Sequence, residues 1–252
     1  MATKQGNDRL AVLIDADQGQ QGIMQELISE ISRYGAPTIK RAYGDWTTQD
    51  MAPWKSVLQA SAIQPVQQFR YTKGKNATDS ALIIDAMDVL HSGVVDGFCL
   101  VSSDSDFTRL ATRIREAGLA VYGFGERKTP EPFVAACDKF IYTEILKQKP
   151  AESAETAAVP LVVSAKELTK LQPMVIAAID ANAREDGWAP LGGVGGHIGK
   201  VHPSFDSRNY GFKKLSDLVR TLDYVEVKDI PVTRPDGVVL NNPQIRMKRV
   251  AR

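Results

Sequence analysis

Five aspartates at three places in the chain could do metal chemistry together. Asp104 and Asp106 lie one residue apart in "LVSSDSDF", directly after a short apolar run. Asp15 and Asp17 repeat that spacing in "LIDADQG", and Asp79 sits in "KGKNATDSALIIDAMDVL", where a strongly apolar helix begins. Two carboxylates held ~5 Å apart at an effective dielectric of ~20 repel by roughly 3 kcal/mol, so converging acids need either a proton or a cation. An all-oxygen donor set points to Mg²⁺ or Mn²⁺ and away from zinc. One or two such ions can activate water and stabilise the leaving oxygen in phosphodiester hydrolysis.

Each acid also has an ordinary role open to it. Asp104 or Ser105 could cap the helix that starts near Asp106, and aspartates after strands commonly form turns. Lys73 and Lys75 flank Gly74 just before the Asp79 helix; they could hold a substrate phosphate or be solvated loop charges. At ~100° per residue, Asp88 falls on the side of that helix opposite Asp79 and Asp85 about 120° away, so both are assigned to solvent or packing.

The elements that must position these acids can be read from periodicity. Residues 10–14, 38–43, 64–69, 97–102, 119–124 and 139–143 are short apolar or β-branched strand candidates. Helix candidates lie near 21–34, 50–62, 78–92, 105–117 and 130–137. The runs at 10–14 and 97–101 lack clean alternation, as expected of central parallel strands covered on both faces. This alternation predicts an α/β domain with a mostly parallel sheet, whose ligands gather outside the carboxyl ends of the strands. If strands one and four are neighbours at the switch point of the sheet, both acidic pairs share one rim.

Beyond residue 146 the character changes. The segment 147–164 opens with "KQKPAESAETAAVP", rich in Ala, Glu, Lys and Pro without apolar periodicity, and reads as a linker. The remainder, 165–252, predicts an amphipathic helix over 165–185, a short Gly-rich helix, a second amphipathic helix over 208–223, and strands at 224–228 and 238–249 around the turn "RPDG". Helices followed by a two-stranded ribbon describe a winged helix-turn-helix.

Composition narrows the class. The 252 residues are 43% hydrophobic and 24% charged, which describes a globular chain. No apolar run approaches the roughly 20 residues of a membrane helix, and "MATKQGNDRL" lacks a signal-peptide core, so a cytoplasmic protein is expected. Cys99 and Cys137 alone offer neither a disulfide framework nor a zinc cluster, and His91, His197 and His202 are scattered. A Walker A loop is ruled out, because the position five before Gly199 is Val194 and Val201 follows Lys200. The net charge of +1 hides an asymmetry: 17 Lys and Arg oppose 20 Asp and Glu through Val159, and 14 oppose 10 from Pro160 onward. That sign pattern fits an acidic catalytic domain beside a module facing a polyanion.

The stretches "LAVLIDADQ", "KGKNATDSALIIDAMDVLHSG" and "GFCLVSSDSDFTRLATRIREAGLAVYGFG" resemble the NYN family of PIN-like nuclease domains across about residues 8–145, within a domain taken as 1–146. The resemblance implies a PIN-like Rossmannoid three-layer sandwich and a metal-dependent nuclease centre usually acting on RNA. By motif position, Asp15, Asp79, Asp104 and Asp106 would be its catalytic metal ligands. Gln18 stands where the family usually has Asn, and the longer amide would need another rotamer to make the same contact. The stretch "GWAPLGGVGGHIGKVHPSFDSRNYGFKKLSDLVRTLDYVEVK" resembles an OST-HTH, or LOTUS, winged-helix domain. That family is associated with RNA binding, single-stranded or structured, and in some members with protein partners. Arg208, Lys213 and Lys214 are the phosphate-contacting candidates there, with Arg220 and the tail residues Arg246, Lys248, Arg249 and Arg252. Two functions remain open: a Mg²⁺- or Mn²⁺-dependent ribonuclease with an RNA-recognition arm, or a non-catalytic RNA-binding adaptor that keeps the acids for structure or metal affinity alone.

Overall fold

Strand β1 (Arg9–Asp15) is buried from Leu10 onward, which explains its unbroken apolar run. In the computed structural model, residues 8–17, 19, 21–69, 77–147, 165–233 and 239–248 are described. β1 is flanked on both sides by parallel strands, β2 (Ala36–Gly44) and β4 (Gly97–Val101). With β3 (Gln64–Gln67), β5 (Ala120–Gly125) and β6 (Lys139–Tyr142), they form a six-stranded parallel sheet of order β3-β2-β1-β4-β5-β6. The chain builds outward from β1 to β3, then returns to lay β4 against the other side of β1. The point where the order reverses is therefore the β1/β4 boundary, where this architecture leaves a crevice at the carboxyl ends.

Alternate residues of β1 enter two different cores. Ala11 and Leu13 join the layer of α3 (Ala77–Ser92), α4 (Thr108–Glu116) and α5 (Glu131–Ala136). Leu10, Val12 and Ile14 join that of α1 (Met24–Ile31) and α2 (Trp54–Ala60). Helices on both faces make the three-layer α/β sandwich that the sequence predicts.

The chain divides into two compact units, Met1–Pro150 and Ala151–Arg252. Most of the expected linker, 148–164, lies outside the described residues. In the second unit, α6 (Ala165–Asn182), α7 (Leu191–Val201) and α8 (Leu215–Arg220) pack with a three-stranded antiparallel sheet of order β7-β9-β8. Its strands are β7 (Ala189–Pro190), β8 (Val225–Thr233) and β9 (Val239–Met247). Leu171, Val175, Val194, Ile198, Leu218 and Ile245 are among the residues of its core.

Two expectations for this unit need correction. The ribbon has a third strand, because Ala189 and Pro190 pair with Ile245 and Gln244 of β9. The helix expected over 208–223 is broken into a 3-10 turn, Ser207–Tyr210, and the short α8. Asp206 caps the turn by accepting from the Arg208 N–H, and Gly211 at φ +83° ends it in the left-handed region. A Cβ at Gly211 would meet no atom within 4 Å, so Gly211→Ala isolates backbone strain. We expect it to lower stability by about 1 kcal/mol, read by urea unfolding.

Candidate metal centre

The loop that follows β4 is organised by its own polar groups. Asp104 Oδ1 accepts from the Asp106 N–H at 2.9 Å and so caps the 3-10 turn Ser105–Phe107. Of the two capping residues considered, Asp104 is the one used; Ser105 is exposed inside the turn. Phe107 (1% exposed) pins the turn into the core, and α4 continues from it. Two residues before Asp104, Ser102 is buried, and its Oγ accepts from the Asp104 N–H at 3.1 Å.

The same hydroxyl links β4 to β1. Ser102 Oγ donates to Asp15 Oδ2 at 2.9 Å, while Asp15 Oδ1 accepts from the Asp17 N–H at 3.2 Å. Asp15 is only 1% exposed, so a carboxylate there depends on such donors. Asp17, exposed on the loop after β1, accepts from Thr78 Oγ1 at 2.9 Å and ties that loop to the start of α3. Thr78 is buried, and Asp79 follows it in the first helical turn.

Asp79, Asp104 and Asp106 thereby converge. One carboxylate oxygen from each lies within 4.8 Å of the others; Asp79 and Asp104 are half-buried and Asp106 is exposed. This is the arrangement whose mutual repulsion a divalent cation relieves, and oxygen-only donors suit Mg²⁺ or Mn²⁺. Asp15 is connected to this group through Ser102 and is not one of the three converging oxygens. The helical phase also separates the other acids of α3 from the cluster. Asp85 bonds Arg41 and the Tyr43 hydroxyl, and Asp88 is exposed. Burial, and then the neighbouring Asp85, push the Tyr43 phenol above its ordinary pKa.

The sequence did not reveal the bracing roles of Ser102 and of Thr78, a residue that also suggests itself as the start of α3. The available signal was modest: each is a hydroxyl residue within two positions of an acid, Ser102 of Asp104 and Thr78 of Asp79. Ser102→Ala would leave a buried carboxylate short of a donor and a backbone N–H short of an acceptor. We expect a loss of about 1–3 kcal/mol in chemical denaturation, largely restored by Ser102→Thr.

The cationic candidates fare unevenly. Lys73, Lys75 and Gln18 lie outside the described residues, as do Arg249 and Arg252. Arg208 is held by Asp206 through its Nε at 3.0 Å and Nη2 at 2.8 Å. Lys213 and Lys214 are exposed just before α8. Arg220 pairs with Asp229 and Arg246 with Glu226, whereas Lys248 is exposed.

Two domain families match the chain. Residues 9–146 match the NYN domain, and residues 164–235 match the OST-HTH/LOTUS domain. No curated protein matches the chain. Among solved structures, a protein of unknown function from Vibrio parahaemolyticus is 18% identical, with 56% of this chain and 94% of that chain covered and a TM-score of 0.47. An uncharacterized Nitrosomonas europaea protein is 30% identical over 41% of this chain and 89% of its own, with a TM-score of 0.27. A Chromobacterium violaceum protein is 37% identical over 32% of this chain and 83% of its own, with a TM-score of 0.26. Among the described residues, no helix is long and apolar enough to cross a membrane. The chain belongs to the NYN domain family and carries an OST-HTH/LOTUS domain after it.

Proposed function

We propose that the protein is a Mg²⁺- or Mn²⁺-dependent ribonuclease that hydrolyses RNA phosphodiester bonds, with the NYN unit cutting and the OST-HTH/LOTUS unit holding RNA. The observation that carries this reading is the convergence of Asp79, Asp104 and Asp106 within 4.8 Å at the carboxyl ends of the strands. These three would hold the ion, and Asp15 acts as a positioning residue by fixing Ser102, which in turn fixes the Asp104 backbone. When bound, a divalent ion supplies charge stabilisation at the scissile phosphate and a more acidic water. Asp106, the exposed member, would orient the attacking water and accept its proton. The bond from Thr78 to Asp17 would steady the start of α3, and with it Asp79. The rear half, with its excess of Lys and Arg, supplies phosphate contacts that add affinity without choosing the cut.

The test is cleavage of end-labelled single-stranded and structured RNA by the full chain with Mg²⁺, Mn²⁺ or EDTA. Cleavage is expected with either metal and not in EDTA. RNA bound tightly but never cut would replace this reading with that of an adaptor. Cleavage indifferent to EDTA would remove the metal from it.

A further inference from the structure

We infer that the solvent face of the three-stranded sheet in the second unit, centred on Trp188, binds single-stranded RNA by stacking a base on the indole. This inference rests on the RNA-binding reading above and names the surface that would carry it.

The alternation of strands sorts the residues of this sheet. Val225, Val227, Ile245 and Met247 belong to the core, as does Ala189. Their neighbours Glu226, Lys228, Arg246 and Trp188 fall on the other face by period two. Trp188 immediately precedes the two-residue strand β7 and lies beside two cations. The Arg246 guanidinium carbon is 4.5 Å from its ring centroid and the Lys228 ammonium 5.9 Å. Glu226 Oε2 accepts from Arg246 Nε at 2.8 Å, which fixes the guanidinium against the ring.

The Trp188 backbone is fixed as well. Its N–H donates to Asp186 Oδ1 at 3.0 Å, and its carbonyl accepts from the Arg184 N–H at 3.0 Å. The indole is partly exposed and Lys228 is exposed. A preset aromatic ring with an arginine held over it and a lysine nearby joins the two features that single strands recognise, because every base has a π-face and every linkage a charge.

Charge selects the occupant. From Pro160 onward 14 Lys and Arg oppose 10 Asp and Glu, so the unit attracts a polyanion. Arg208, which the motif had offered for phosphate contact, is already engaged by Asp206 in three hydrogen bonds. A duplex keeps its bases stacked on one another, so the surface should favour the unpaired strand.

The experiment measures binding of a fluorescent oligouridine and of a duplex of equal length to the full chain. It is run in EDTA on the Asp104→Asn background, so cleavage plays no part. Trp188→Ala should weaken single-strand binding by about tenfold or more. Trp188→Phe should retain affinity within about threefold, and Lys228→Gln should reduce the salt slope by about 0.7. Ultraviolet crosslinking of the parent chain should place oligouridine on the tryptic peptide 185–200. Full affinity in a folded Trp188→Ala chain, preference for the duplex, or crosslinks confined to other peptides would overturn the inference while leaving the RNA-binding reading in place. If Trp188→Ala does not fold, the Phe variant, the Lys228 variant and the parent's crosslinks decide. Absence of RNA binding by the parent chain overturns both.

Discussion

Asp104→Asn is expected to lower RNA cleavage by about two orders of magnitude or more while leaving the protein folded. The substitution separates the observed cap made by Asp104 from its proposed part in metal binding. Its Oδ1 caps the turn Ser105–Phe107 by accepting from the Asp106 N–H, and an asparagine oxygen can do the same. Its negative charge, which under the proposed function would join those of Asp79 and Asp106 in holding a divalent ion, is removed. Thermal unfolding should therefore move little. The metal dependence of cleavage should shift to higher Mg²⁺ or Mn²⁺, and RNA affinity in EDTA should stay near that of the parent. Cleavage unchanged by this substitution would move the chemistry away from the three converging acids.

The largest stability effect is expected at Phe140. This ring is fully buried and packs edge-on against Phe133 at 5.8 Å and Tyr142 at 5.4 Å between centroids. It lies against Gly123 of the neighbouring strand β5, where an added Cβ would clash with Phe140 Cδ2. The absence of a side chain at Gly123 is what makes room for the ring. Phe140→Ala would empty that space, and the parallel strands around it can close only in part. A loss of about 3–5 kcal/mol is expected, lowering the melting temperature of the first unit by about 10 °C or more. Phe140→Leu should recover a substantial part of the loss. A melting curve that moves by only a degree or two for the alanine variant would contradict the packing described for this layer.

Much of the first unit was legible because its signals are local. Apolar runs at 10–14 and 97–101 marked the two strands on either side of the switch point, and these pair as expected, with Ile14 opposite Val101. The helical phase correctly set Asp85 and Asp88 apart from Asp79. What could not be read was the identity of the groups that brace the acids, because Ser102 meets Asp15 across 87 residues and Thr78 meets Asp17 across 61. Hydroxyls carry no periodicity, so nothing in their own neighbourhood distinguishes a brace from a solvated serine. In the second unit, Ala189 and Pro190 were too few to show a period and became a strand only by pairing with β9. Gly211 stood in plain sight within the expected helix over 208–223. The left-handed turn it takes outweighed the apolar spacing around it.

The bond between Ser102 and Asp15 also has a kinetic meaning. It can form only after β4 has docked against β1, which closes a loop of more than 80 residues and belongs to the slow, non-local part of assembly. During synthesis, Asp15 and Asp79 leave the ribosome before the segment bearing Ser102, Asp104 and Asp106. A growing chain therefore carries acids but no assembled centre, and competence would arrive as one late event when the middle of the sheet closes. Any nuclease activity would thus be withheld from the nascent chain, and from the messenger being translated beside it, until this unit is nearly complete.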